Sequence, residues 1–221
     1  MGRNDMSIKT SKSGRIFEEK IIDRFLVLFT IHNSTRPIGD TMVQKLTFLS
    51  ALDMKYQGRK GFNYNFIKLD FGPYSSDLKD DIQVLLNNRA INGHYRVATK
   101  LGEYILSNFS HIIDENSIFF EKIENINQQY SHWKSKDLVR YVHRLKNPEH
   151  PRFSIHNTRQ GSYILRKPKV WRAEREFSLS ESDMASLEIY LDPETFHRFF
   201  ASIEEAKQKP AVELSEVLDS V

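Results

Sequence analysis

The run Phe71-Gly72-Pro73-Tyr74-Ser75 constrains this chain more than any other stretch. It joins a short aromatic segment, residues 62–69, to a helical pattern that starts near Ser75. Gly72 supplies backbone freedom, Pro73 fixes φ at or just before the first helical turn, and Tyr74 or Ser75 can present a side chain back to the turn. One compact turn therefore sets the angle between an extended segment and a helix. A phosphate-cradling loop would need several glycines and a Lys-Ser/Thr pair, and neither follows, so the plain alternative is a connector with no chemistry of its own.

Around this turn the apolar periodicity is mostly helical. Phe17, Ile21, Phe25 and Leu28 recur at three- and four-residue steps, which predicts an amphipathic helix ending near His32-Asn33, before Arg36-Pro37. Asp40 is placed to cap a second helix through Val43, Leu46, Leu49 and Leu52 that stops at Gly58 and Gly61. Phe62, Tyr64 and Phe66 alternate with Asn63, Asn65 and Ile67, the period of a strand. A helix over 75–88 follows the turn, then a second short strand over 91–98 pairing near the first, then a helix capped by Thr99. Further helices are expected over about 115–130, 135–145, 183–190, 193–208 and 212–218, the start at Asp192-Pro193-Glu194 being the clearest.

The order of elements predicts a mainly α protein with a small β-ribbon (α+β), namely a winged-helix-like helical domain over 15–150 with a loose arm, 1–14, before it. Asn147-Pro148-Glu149-His150-Pro151 closes that domain, because two prolines three residues apart cannot continue a helix. Residues 151–221 then read as a basic loop followed by an acidic extension with short helices. The formal charge of +3 hides this asymmetry: residues 134–175 hold 12 Lys/Arg against 3 Asp/Glu, and residues 176–221 hold 3 against 11.

Several function classes fall away. The absence of cysteine rules out a disulfide framework and thiolate zinc, and suits a reducing compartment. The most hydrophobic stretch, 16–31, is interrupted by Glu18, Glu19, Lys20, Asp23 and Arg24, so no membrane partner and a soluble, cytoplasmic protein are expected. Eight scattered histidines make no metal-binding pair, Ser75 sits in no nucleophile elbow, and Asp77, Asp80 and Asp81 read as a solvated helix start that complements the dipole. The expectation is no cofactor, no metal, no catalytic residue and no enzyme.

Binding is the remaining class. Lys134, Lys136, Arg140 and Arg144 recur at helical spacing, and Arg166, Lys167, Lys169, Arg172 and Arg175 share a segment with Tyr163 and Trp171. Cations beside aromatics suit nucleic-acid phosphates with base stacking, an anionic protein surface, or pairing with the acidic segment that follows. Phe196, Phe199 and Phe200 add apolar surface that either packs back on the main domain or awaits another chain.

The helix Thr41-Met42-Val43-Gln44-Lys45-Leu46, the aromatic run, the Gly72-Pro73-Tyr74-Ser75 turn with Leu78 and Asp81, and Leu138-Val139-Arg140-Tyr141-Val142 before Asn147-Pro148-Glu149 together resemble the Panacea domain over about residues 38–150. That resemblance implies a mainly helical domain of bacterial and phage-associated antitoxins that neutralises a cognate toxin by direct contact, and in some relatives an adaptor that presents a partner to a protease. It implies no enzymatic residue set. Gln44, Lys45, Gly72, Pro73, Tyr74, Ser75 and Asp81 carry over as framework or partner-facing positions. The residues beyond Pro151 lie outside the shared domain; their last portion, 199–217, is similar to the C-terminal strips of addiction antitoxins. Tyr74, Tyr163, Trp171, Phe196 and Phe199 are the candidate aromatic anchors. A winged-helix DNA-binding regulator, autoregulating a toxin–antitoxin operon, is the alternative, with nucleic acid as the second partner class.

Overall fold

The computed structural model describes residues 14–169 and 175–208. Most of the expected arm, Trp171, Arg172 and the helix over 212–218 lie outside the described residues. In chain order the elements are α1 (Phe17–His32), α2 (Asp40–Tyr56), β1 (Arg59–Lys60), β2 (Phe66–Leu69), β3 (Gly72–Tyr74), α3 (Ser76–Asn87), β4 (Ile91–Asn92), β5 (Val97–Ala98) and α4 (Lys100–Asn108). There follow α5 (Ser110–Glu115), α6 (Ser117–Tyr130), α7 (Ser135–Arg144), β6 (Lys146–Asn147), β7 (His150–Ser154), β8 (Tyr163–Leu165), β9 (Arg175–Glu176), α8 (Glu181–Leu191) and α9 (Pro193–Gln208). The protein is mainly α with small β-ribbons.

The first two helices form the centre. α1 is buried without a break from Ile21 to Ile31 and α2 from Met42 to Leu52. A helix enclosed on all sides must satisfy its polar side chains internally. Thr30 and Ser50 donate to the carbonyls of Leu26 and Leu46 one turn back, and Asn127 of α6 donates to Thr30 O at 2.7 Å. Edge-on aromatic contacts knit the layers, with Phe25 and Phe29 against Phe120 of α6 and Phe48 against Phe66 of β2.

Ile38, between α1 and α2, bridges Arg96 in the β4–β5 hairpin, which follows α3. Helix, bridge residue, helix, helix and hairpin in that order make the arrangement winged-helix-like, with β2–β3 inserted between α2 and α3. The segment over 91–98 pairs with itself rather than with the aromatic strand, because Gly93, at φ +79°, turns the chain back after two residues.

Three other local expectations are corrected. The strand begins at Phe66, not Phe62: Phe62 and Tyr64 are buried, yet Asn63 N donates to the Asp23 carboxylate rather than to a neighbouring strand. Asp40 does not cap α2; Gly39 occupies that position while both Asp40 oxygens accept from the Arg96 guanidinium, at 2.7 and 3.0 Å. The chain after Asn147 does not leave the domain at its prolines but reverses into the β6–β7 hairpin.

The C-terminal third is woven into the same core. β8 pairs with β2 to complete a three-stranded sheet in the order β3-β2-β8, and β9 runs parallel to β1. Ile164, Leu165, Phe177, Leu187 and Leu191 are all at least 97% buried within the apolar cluster.

Candidate functional site

The two most distinctive sequence motifs meet in space. Gln44 on α2 grips the backbone of Ser75 from both sides, its Nε2 donating to Ser75 O and its Oε1 accepting from Ser75 N, each at 2.9 Å. The next residue of α2, Lys45, donates from Nζ to Pro73 O at 2.6 Å. Ser75 Oγ then accepts from Leu78 N and caps α3. Gly72 stands at φ +89°, and a Cβ there would lie 3.0 Å from the His143 ring. The turn is thus bonded to α2 and to the start of α3, and backs onto the His143 ring of α7.

Gln44, Lys45 and Ser75 are buried, 4% exposed or less, and Gly72 and Pro73 are buried with them. These residues hold the turn; they do not face solvent. Burial, followed by the charge of Lys68, pulls the Lys45 ammonium down to about 7, because no carboxylate pairs with it among the described residues.

What the rigid turn presents is Phe71, 68% exposed at the tip of the β2–β3 ribbon, beside the partly exposed Leu69. Below the tip lies a cleft of about 330 Å³ lined by Thr41, Lys45, Phe71, Tyr74, Lys79 and Ile82. Tyr74 is half-buried on its wall. Sequence reasoning counted Phe71 in the motif without marking it as a contact. The signal was available: a large aromatic at a tight turn has no core to enter.

Asp81 belongs to a different constellation. Its carboxylate accepts from Arg15 at 2.6 Å, from Arg24 Nε at 2.9 Å and from the Tyr64 hydroxyl at 2.8 Å. Asp23 accepts from the same Arg15 at 2.7 Å and from Asn63 N at 2.8 Å, while Arg24 also donates to Leu191 O at 2.7 Å. Burial pushes the Asp23 carboxyl up to about 7 in spite of Arg15, and burial with the adjacent Asp81 holds the Tyr64 phenol well above its ordinary value. Asp77 and Asp192 reach the rim of this knot at 3.8 Å from Arg15 and Arg24. Two arginines matched to two aspartates, with their carboxylate oxygens already accepting, tie α1, α3 and α8 together. Each acid here lies within 3.8 Å of an arginine nitrogen, and removing any one partner would leave a buried charge uncompensated.

The remaining candidates lie on separate elements. Tyr163 on β8 is exposed, with the Arg166 guanidinium 4.7 Å from its ring centroid. Lys167 Nζ reaches Glu19 at 2.6 Å, Lys169 is exposed just beyond, and Trp171 and Arg172 lie outside the described residues. On α9, Phe196 is buried and packs on Phe200 with ring centroids 4.4 Å apart, whereas Phe199 is 40% exposed. No group of three or more His, Asp or Glu side chains arranged for a metal ion occurs among the described residues, and none of the described helices is long and apolar enough to cross a membrane. Compared with family models, with curated proteins and with solved structures, the chain shows no significant match in any of the three.

Proposed function

We propose that this protein is an antitoxin-like binding protein that neutralises a cognate toxin by direct contact, and that the β2–β3 tip with the cleft beneath it is the docking edge. The observation that carries this reading is Phe71: a phenyl ring left 68% exposed on a turn that Gln44, Lys45 and the Ser75 cap lock in place. A preorganised aromatic anchor loses little freedom on binding and fills a partner's pocket at low entropic cost. The resemblance to the Panacea domain rests on the residues that build this turn, which supports the same assignment.

The test is co-expression in bacteria with the product of the adjacent gene. That product is expected to arrest growth alone, and the present chain to relieve the arrest. Phe71→Asp should abolish the relief while leaving the melting temperature unchanged. A harmless neighbour, or relief undiminished by Phe71→Asp, would remove the proposal.

The winged-helix order of elements favours a second reading, a DNA-binding regulator. The solvent face of α3, which would enter a groove, carries Asp80 beside Lys79, with Gln83 and Asn87 bonded to each other. That face offers phosphates little attraction, so cations for such a role have to come from elsewhere in the molecule.

A further inference from the structure

Among the described helices α7 is sharply two-sided. Leu138 and Val142 face the core, and Lys136, Arg140 and Arg144 project into solvent at four-residue intervals. At 1.5 Å per residue those three cations stand roughly 6 Å apart along one line, a spacing comparable to that of successive phosphates on a nucleic-acid strand. Among the described residues Lys136 and Arg144 have no ion-pair partner, and Arg140 makes a loose, exposed contact of 3.4 Å with Asp137. Among the described residues no carboxylate of the acidic C-terminal segment pairs with them; Glu176, Asp183 and Asp192 pair instead with Lys60, His111 and Arg24.

A groove of about 600 Å³ runs beside this row, its far wall made by Ser154 at the end of β7 and by His156 just beyond it. The wall is fixed to the helix end, since His156 N donates to His143 O at 2.9 Å and Ile155 N to Leu145 O at 2.8 Å. The rings of His143 and His156 lie 5.7 Å apart, and His143 Nε2 is buried without a hydrogen-bond partner among the described residues. Burial first, then the charges of Lys68, His156 and Lys45, pull His143 below its ordinary value. Among the described residues no carboxylate lines the groove.

We infer that the α7 row and this groove bind the backbone of a single-stranded nucleic acid, the cations taking successive phosphates and the two imidazole rings offering a surface for an unstacked base. The row is regular and rich in arginine, with planar forks that match phosphate geometry. A row of three phosphate contacts on a single strand gives a log–log salt slope of about −2. This groove and the cleft beneath Phe71 share no lining residue, although the His143 ring lies against Gly72 beside Phe71.

The experiment is fluorescence anisotropy of the full chain with a labelled 20-nucleotide oligothymidylate between 50 and 300 mM salt, with a 20-base-pair duplex and polyglutamate as competitors. Binding should weaken with salt at about that slope. The charge-reversed variant Lys136→Glu/Arg140→Glu/Arg144→Glu should lose at least tenfold in affinity. The milder Lys136→Gln/Arg140→Gln/Arg144→Gln, checked by its melting curve, should lose affinity and flatten the salt slope, and Phe71→Asp should bind as the natural chain does. Absence of binding at 50 mM salt, an unchanged affinity in the glutamine variant, or competition by duplex or polyglutamate as effective as that by unlabelled oligothymidylate would overturn it.

Discussion

Lys45 is a charge in an apolar place, and its behaviour with pH is a direct probe of the turn it supports. Its ammonium falls from an ordinary 10.5 to about 7 in the folded chain. Between those values the unfolded chain holds the proton more firmly than the native one, so this lysine adds stability as pH rises from 7 and withdraws it as pH falls back through 7. From pH 7 to pH 9 the contribution is up to about 2 kcal/mol. Thermal melts of the natural chain and Lys45→Met should therefore diverge, the natural chain gaining roughly 5 °C more than the variant over that interval. Equal gains would mean that Lys45 keeps its ordinary affinity for the proton. Asp81 sets a second test at this scale. Asp81→Ala leaves the Arg15 and Arg24 guanidiniums and the Tyr64 hydroxyl without their shared acceptor, and breaking a buried ionic knot costs on the order of 3–5 kcal/mol. The midpoint of urea unfolding should drop accordingly; a loss under 1 kcal/mol would show the knot to be dispensable.

Gly72 links the residue to the element it shapes. Any side chain there combines a φ of +89° with a Cβ 3.0 Å from the His143 ring, so Gly72→Ala is expected to cost roughly 1–3 kcal/mol and to weaken partner binding by tilting Phe71. Urea unfolding of that variant at the natural midpoint would refute the constraint. The helices were legible because their apolar faces repeat at 3.6 residues, and Ser75 and Thr99 announce α3 and α4 by capping chemistry that local sequence contains. The aromatic run was only half legible. Phe62 and Tyr64 alternate as a strand does, but the pattern reports burial on one side and not what pairs with the backbone, and here a carboxylate from α1 took the place of a neighbouring strand. Asp40 shows the same limit at a cap: its side chain had a better partner, Arg96, fifty-six residues away. The short α5 escaped notice because one and a half turns are too few for periodicity to register.

For the whole molecule, the proline-marked break near residue 150 is a feature of local pattern that the core crosses. Ile164, Leu165, Phe177, Leu187 and Leu191 enter the cluster built by α1, α2 and α6, and Arg24 reaches across to Leu191 O. Charge asymmetry made the segment after Pro151 look foreign to the domain; the long-range pairing of β8 with β2 and of β9 with β1 has no signature in spacing, which is why only the structure discloses it. The same is true of the candidate site: the Gln44 and Ser75 motifs were visible separately, and their mutual hydrogen bonds were not. Energetics turn this into a test. Each buried aliphatic or aromatic side chain contributes about 1.5–3 kcal/mol, so five of them supply on the order of 10 kcal/mol. A typical domain has only about 5–15 kcal/mol of net stability in all. A chain ended at residue 151 should therefore fail to melt cooperatively and should expose apolar surface to a hydrophobic dye. A sharp transition in the shorter chain at the natural temperature would show that the helical domain stands alone and that the extension is an addition to it.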